Sequence, residues 1–177
     1  EENPSYVEFI TGEGGAIDTW LRRGAAGFRL DVADELPDDF IEKIRAAVKR
    51  VSPEKFLLGE VWEDATTKYG FGQRRTYLLG KGLDSVMNYP FKNAVLDFVK
   101  GKPAQQAMGE ILSICEHYPA PAMDTALNFL STHDTERALT VIADEPANGR
   151  GREWQSGRCV TGEAYEEGML RLRMAYA

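Results

Sequence analysis

The sequence predicts an α/β fold in which buried strands alternate with helices. Four apolar runs, near residues 26–32, 55–62, 82–90 and 127–134, are each followed by a segment of helical periodicity. Such alternation is typical of a parallel sheet with right-handed crossovers. No glycine-rich phosphate loop follows a strand, as an open doubly wound sheet would favour, whereas acidic residues end three of the runs. This second pattern is typical of a (β/α)8 barrel.

Helices are predicted around the first two strands. Asn3 caps a helix with proline in its first turn, and a second helix covers residues 16–23 before Gly24 ends it. After the first strand, Pro37 and two aspartates begin a helix whose apolar residues recur at helical spacing as far as Val51. The second strand follows about 30 residues after the first, which is the length of one strand–helix unit.

The rest of the chain continues the alternation. A polar loop with Lys68, Arg74 and Arg75 separates the second strand from a weaker third strand. Residues 145–157 are polar and glycine-rich and are predicted to form a loop. The remaining helices are predicted at residues 91–99, 103–117, 135–142 and 162–177.

The first strand mixes apolar and charged residues. Phe28 and Leu30 alternate with Arg29 and Asp31, so the two charged side chains share one face of the strand. Charge on the inward face of a buried strand is unfavourable unless it is paired. The strand by itself therefore indicates either a structural ion pair or a functional site.

Three acids at strand ends favour a functional site over a structural ion pair. Asp31, Glu60 and Asp134 each follow an apolar run, and in a barrel the strand ends converge on one pocket. Retaining glycoside hydrolysis needs one carboxylate that attacks the sugar and a second that donates and then removes a proton. A third acid can stabilise the positive charge of the transition state.

The surroundings of the acids suggest their roles. Arg29 favours the ionised form of Asp31, which suits a nucleophile. Glu60 follows a strongly apolar run and is expected to hold its proton longer, which suits a general acid. His133 and Asp134 are both able to form hydrogen bonds with sugar hydroxyls.

Composition limits the classes of protein to which the chain can belong. The chain has 177 residues, 43% of them hydrophobic, which is enough for one domain with a core. A net charge of −7 argues against nucleic acid as a partner, and no run of about 18 apolar residues predicts a membrane span. Cys115 and Cys159 are predicted to be free, packed thiols. No cofactor and no metal-ligating set is predicted.

Three segments carry a family resemblance. Residues 27–33, 59–62 and 131–136 resemble three conserved blocks of the alpha-amylase family of glycoside hydrolases, in the family's order. The residues after Asp31 and the segment 87–89 are most similar to the neopullulanase, cyclomaltodextrinase and maltogenic amylase branch. The resemblance implies retaining hydrolysis of alpha-glucosidic bonds in maltodextrin, cyclodextrin or pullulan, with an alpha-glucan oligosaccharide as partner.

The resemblance also implies roles for individual residues. Asp31 corresponds to the nucleophile, Glu60 to the acid/base and Asp134 to the transition-state stabiliser, while Arg29 and His133 match supporting residues that contact substrate. Further substrate-contact candidates are Asp34, Glu35 and Trp62. Each of these three has an open alternative, which is a solvated loop for the two acids and a packed core aromatic for the tryptophan.

The chain is expected to be one fragment of a catalytic domain. Residues 1–177 correspond to strands four to seven of the barrel with their helices. The family's first block, which contains an Asn-His pair, and its eighth strand are absent. The chain begins without an initiator methionine or a signal peptide and ends within a helix. We therefore expect a piece of a longer cytoplasmic protein, and a calcium site elsewhere in that protein stays open.

Other functions stay open at this level. The same superfamily includes oligo-alpha-1,6-glucosidases and glucan transglycosylases. A non-catalytic fragment, or a subunit that binds sugar or a partner, is an alternative of another class. Half a barrel would expose strand edges and apolar surface, which predicts a homo-oligomer.

Overall fold

The computed structural model describes residues 3–143 and 149–177, and the chain forms two units. We call the first the strand unit; it comprises Glu1–Asn88 and Cys115–Leu127. The second, the helical unit, comprises Tyr89–Ile114 and Asn128–Ala177. The elements are α1 (Pro4–Thr11), α2 (Ala16–Arg22), β1 (Gly27–Leu30), α3 (Asp38–Val51), β2 (Phe56–Gly59), β3 (Tyr69–Gly70), β4 (Gln73–Arg74), β5 (Ser85–Val86), α4 (Tyr89–Val99), α5 (Ala104–His117), α6 (Ala120–Asp124), α7 (Ala138–Ala143), α8 (Arg152–Ser156) and α9 (Gly162–Tyr176).

A parallel sheet of β1, β2 and β5, in that order, forms the centre of the strand unit. The register runs from Gly27 opposite Phe56 to Leu30 opposite Gly59. Gly27 is required at its position because a Cβ there would lie 2.0 Å from the Phe56 carbonyl oxygen. Helix α3 connects β1 to β2, as the alternation predicts. The parallel sheet and its crossover helix confirm the predicted α/β class.

Helix α3 covers the sheet with one apolar face. Its buried residues recur at helical spacing and lie in the core with β2 and β5; they are Phe40, Ile41, Ile44, Ala47 and Val48. Burial of each large side chain contributes about 1.5–3 kcal/mol. This core supports the strand ends at which the predicted acids lie.

Asp84 ties α3 to the sheet. Its carboxylate lies 2.7 Å from Arg45 Nη1 and 2.8 Å from Lys49 Nζ, and it accepts the Leu57 N–H at 2.8 Å. Burial works to raise the pKa of Asp84, but donation by Lys49, Arg45 and Leu57 outweighs it and lowers the pKa below its usual value. The contacts fix the helix over the strands.

The helical unit has its own core between α4, α7 and α9. The buried residues are Leu96, Val99, Leu130, Ala138 and Ile142. Gly168 of α9 permits close packing because a Cβ there would lie 2.4 Å from the Ala143 Cβ.

The predicted fourth strand is not formed. Leu127 makes one parallel bridge to Met87, with Leu127 N donating to Val86 O and Asn88 N donating to Leu127 O. A strand needs a neighbour that stays extended, but β5 ends at Val86 and the chain enters α4 at Tyr89. Leu127 is therefore the one position of this segment that pairs with the sheet among the described residues.

Two predicted loops contain regular structure. The polar loop after β2 holds the β3–β4 hairpin, and the predicted loop 145–157 holds α8, while residues 144–148 lie outside the described part of the chain. Both cysteines are free, as predicted, but exposed rather than packed.

Candidate active site

The carboxyl ends of β1 and β2 bring three predicted site residues together. Because Leu30 pairs with Gly59, Asp31 and Glu60 are the next residues on neighbouring strands. Arg29 forms an ion pair with the Asp31 carboxylate, and its Nη2 lies 2.9 Å from Glu60 Oε1. The side chains of Arg29 and Asp31 therefore meet on one side of the strand, as their alternation predicts.

Glu60 is buried and held on both oxygens. Its side chain is 3% exposed. Oε2 accepts the Val32 N–H at 2.9 Å, and Oε1 accepts the Trp62 indole N–H at 3.1 Å. Together with the Arg29 cation, these donors compensate the carboxylate for the water that it has lost.

Burial distinguishes the two acids. The Asp31 side chain is 73% exposed, whereas that of Glu60 is almost fully enclosed. The guanidinium of Arg29 contacts both carboxylates, so this cation alone does not give them different roles. The exposed acid is open to a ligand, and the enclosed acid is held in a fixed position.

The backbone turns sharply directly after Asp31. Val32 lies in the left-handed region, at φ 39° and ψ 51°, which is unfavourable for a β-branched residue. In this conformation its N–H points to Glu60, and Ala33 N donates to the Glu60 carbonyl at 3.0 Å. Strained residues of this kind cluster at functional sites. A valine in sequence gives no signal of this turn.

Asp34 and Glu35 lie on the short 3-10 turn Ala33–Glu35. Asp34 is ion-paired rather than simply solvated, since its Oδ2 lies 3.2 Å from Lys68 Nζ. Lys68 also reaches Glu63 Oε2 at 2.5 Å. The Glu63 carboxylate raises the pKa of Lys68, burial opposes it, and Asp34 adds to the increase. Glu35 is exposed.

Trp62 is not part of the core. Its side chain is 42% exposed while its indole nitrogen is held at Glu60. The alternative of a packed core aromatic is therefore wrong, and the ring lies beside the enclosed acid with surface available to a ligand.

Arg75 supports the segment after Asp31 and was not predicted as a site residue. Its side chain is fully buried. It donates to Asp38 Oδ1 at 2.8 Å, to the Asp34 carbonyl at 2.7 Å and to the Leu36 carbonyl. The guanidinium also lies 4.4 Å from the centroid of the Tyr77 ring. A cation that is buried in this way has no sequence signal, because its partners become neighbours only in the fold.

The helical unit carries the other two predicted residues. His133 Nε2 lies 3.0 Å from Asp134 Oδ2, and the two side chains are 75% and 43% exposed. A cavity of about 400 Å³ borders His133 within this unit, and its wall includes Arg137, Arg152 and Trp154. The wall residues on α8 were missed because their segment was predicted to be a loop.

Neither a metal centre nor a membrane span is found in the described ranges 3–143 and 149–177. These residues contain no group of three or more His, Cys, Asp or Glu side chains arranged to hold a metal ion. None of the helices described there has the length and apolarity to cross a bilayer.

Known proteins similar to this chain support one family. The family model "Alpha amylase, catalytic domain" matches residues 2–155. An amylopullulanase from Thermoanaerobacter thermohydrosulfuricus is 36% identical over 169 residues, which cover 82% of this chain and 11% of the relative. A cyclomaltodextrinase from a Bacillus species is 37% identical over 145 residues, or 78% of this chain and 23% of the relative.

A solved structure is similar as well. It is the cyclic alpha-maltosyl-(1→6)-maltose hydrolase from Arthrobacter globiformis in complex with maltose, at a TM-score of 0.70 and 28% identity, covering 80% of this chain and 30% of that one. The chain thus spans between a tenth and a third of the length of these proteins. The fold corresponds to part of the family's (β/α)8 barrel, as predicted. The chain belongs to the alpha-amylase catalytic-domain family, in the branch of the cyclomaltodextrinases, neopullulanases and amylopullulanases.

Proposed function

We propose that the protein containing this chain hydrolyses alpha-glucosidic bonds in maltodextrin, cyclodextrin or pullulan with retention of configuration. The observation that carries the proposal is the cluster of Asp31, Arg29 and Glu60 at the ends of neighbouring parallel strands. The names of the similar amylopullulanase and cyclomaltodextrinase support this class of substrate. The maltose complex of the solved relative supports an oligosaccharide ligand.

In the proposed mechanism, the Asp31 carboxylate attacks the anomeric carbon, and Arg29 holds that carboxylate in place. Glu60 protonates the leaving glycosidic oxygen and then takes a proton from the attacking water. Retaining enzymes hold their two carboxyl groups only about 5–5.5 Å apart, and a guanidinium that contacts both acids supports such close spacing. The N–H groups of Val32 and Trp62 hold the Glu60 carboxyl group in place for this transfer.

The remaining roles rest on the family resemblance. Asp134 stabilises the positive charge of the transition state, and His133 binds a sugar hydroxyl; both belong to the helical unit. Asp34, Glu35 and Trp62 are proposed substrate contacts. The chemistry uses carboxylates alone, so the proposal includes no cofactor.

The test compares the full-length protein with its Asp31→Asn variant. Release of reducing sugar from β-cyclodextrin and from pullulan is measured, with Asp39→Asn as the matched control because Asp39 is 74% exposed and pairs only with Lys43 on its own helix among the contacts described. Asp31→Asn is expected to lower kcat by about three orders of magnitude or more, and the control is expected to keep it. Equal activity of all three proteins would exclude the proposed nucleophile.

The stereochemistry is tested separately. Proton NMR of the first product from maltotriose is expected to show the α-anomer. A β-anomer would show inversion and would contradict the proposed covalent intermediate. A parallel assay with isomaltose measures whether the protein also cleaves alpha-1,6 bonds.

Self-association stays a prediction. The strand unit and the helical unit both carry exposed apolar side chains, including Phe9, Leu79 and Leu170, which supports it. Light scattering of residues 1–177 alone is expected to give at least a dimer, and a monomer at all concentrations would contradict this.

A further inference from the structure

The β3–β4 hairpin presents two aromatic rings to solvent. Tyr69 is 70% exposed and Phe71 is 62% exposed. Phe71 lies in the left-handed region at φ 52°, which is strained for an aromatic residue, and Gly72 follows at φ 76°. Exposed apolar residues are ordinary when they occur singly. The Phe71 ring lies 5.2 Å from the Arg75 guanidinium, a contact that holds the ring while most of its surface stays exposed.

Both ends of the hairpin are anchored to the strand unit. Lys68 precedes β3 and Arg75 follows β4, and Arg75 N donates to the Lys68 carbonyl at 2.8 Å. Arg75 is buried against the Asp34 and Leu36 carbonyls and Asp38. The two ends of the hairpin are therefore held against the rest of the strand unit.

The anchor connects the hairpin to both acid-bearing segments. Lys68 Nζ lies 3.2 Å from Asp34, three residues after Asp31, and 2.5 Å from Glu63, three residues after Glu60. The Lys68 ammonium group therefore links the two segments through one ion pair to each. The base of the hairpin therefore lies beside the two segments that follow Asp31 and Glu60.

We infer that Tyr69 and Phe71 bind glucosyl units of an alpha-glucan that lie beyond the bond being cleaved. The inference rests on the proposed function and adds a specificity surface to it. Aromatic rings offer a large, rigid contact area with few rotatable bonds, and the C–H-lined face of a pyranose ring is a suitable partner for it. Trp62, exposed beside Glu60, offers a third aromatic ring on the segment that leads from the enclosed acid to the hairpin. Long glucans gain from this surface, whereas short ones end before they reach it.

The test measures KM and kcat of the full-length protein for maltoheptaose and for maltotriose. The variants are Tyr69→Ala and Phe71→Asn, the latter because asparagine tolerates the left-handed conformation. Each is expected to raise KM for maltoheptaose about fivefold while KM for maltotriose and both kcat values stay unchanged. Tyr69→Phe retains the ring and is expected to retain the KM of the wild type.

Phe9→Ala is the matched control. Phe9 is 66% exposed on α1, so its removal deletes a ring of similar exposure outside the hairpin, and no change in either KM is expected. Thermal unfolding of every variant shows whether the fold is kept. Equal KM changes for both sugars, or none for either, would overturn the inference and leave the proposed function standing. A wild type that cleaves neither sugar would overturn the proposed function, and the inference with it.

Discussion

Arg29→Met removes the cation that contacts both predicted acids while it keeps an apolar stem of similar length. The consequence falls mainly on Glu60, whose side chain is 3% exposed and whose Oε1 lies 2.9 Å from the guanidinium. At that distance the gross attraction is about 6 kcal/mol for an effective dielectric constant near 20. Removing one partner of a fully buried pair costs about 3–5 kcal/mol.

The net loss of stability on Arg29→Met is smaller for two structural reasons. Arg29 is 28% exposed, so water already screens part of the attraction, and the N–H groups of Val32 and Trp62 stay in place on the carboxylate. We therefore expect Arg29→Met to lower the free energy of unfolding by about 2–3 kcal/mol at pH 7. Urea unfolding of the full-length protein measures it. Arg171→Met is the control, because its pair with Glu167 is 3.5 Å long and exposed and should be worth less than about 0.5 kcal/mol.

A double-mutant cycle tests the cause of the loss. Glu60→Gln removes the charge that Arg29 balances, so Arg29→Met is expected to cost little in the Glu60→Gln background. The coupling free energy between the two sites should exceed about 1 kcal/mol. If the two single losses instead add to within about 0.3 kcal/mol, Arg29 stabilises the protein through its packing, and the electrostatic reasoning is refuted.

Three further predictions follow from contacts in the strand unit. Asp84→Asn is expected to lower the free energy of unfolding by about 2 kcal/mol at pH 7. Because the fold lowers the pKa of Asp84, the stabilisation by its carboxylate is present above about pH 3.9 and is lost as the pH falls through the folded pKa. Urea unfolding should therefore show a smaller difference between the variant and the wild type in acid. Burial raises the pKa of Tyr118 to about 12, so its contribution is complete below about pH 10 and is lost as the pH rises toward 12. Tyr118→Phe leaves the Ala65 N–H without its acceptor and should lower the free energy of unfolding by about 1 kcal/mol at neutral pH. An unchanged midpoint of urea unfolding would contradict the contact. Trp62→Phe keeps the ring and removes the donor to Glu60, so kcat should fall about fivefold with KM little changed; a loss confined to KM would assign Trp62 to substrate binding alone.

The part of the site on β1 and β2 was predictable because its information is local. Alternation of apolar and charged residues shows which side chains share a face, and the strand–helix alternation predicts that β1 and β2 are parallel neighbours. Together these place Arg29, Asp31 and Glu60 at one edge of a sheet, where the register brings them into contact. The burial of Glu60 also follows from the apolar run before it.

Other parts depend on partners that sequence does not reveal. The segment after Leu127 has strand-like composition, yet it lacks an extended neighbour beyond Asn88 and does not form a strand. The β3–β4 hairpin is too short for a periodic signal, and the left-handed backbone of Val32 has no compositional sign. Arginine is rarely buried, so the enclosed position of Arg75 follows only once its acceptors are known to surround it.

Two cations brace the same pair of segments at successive levels. Arg29 joins Asp31 to Glu60 at the strand ends, and Lys68 joins Asp34 to Glu63 three residues further along each segment. One brace alone would leave the segments free to rotate about it, whereas two contacts along their length fix both spacing and direction. Because a near-attack geometry tolerates displacement of only about 0.5 Å, the outer brace matters to the acids although it touches neither of them. Lys68 is thus a positioning residue for the proposed chemistry, and it directly precedes the hairpin whose rings we infer to bind the glucan.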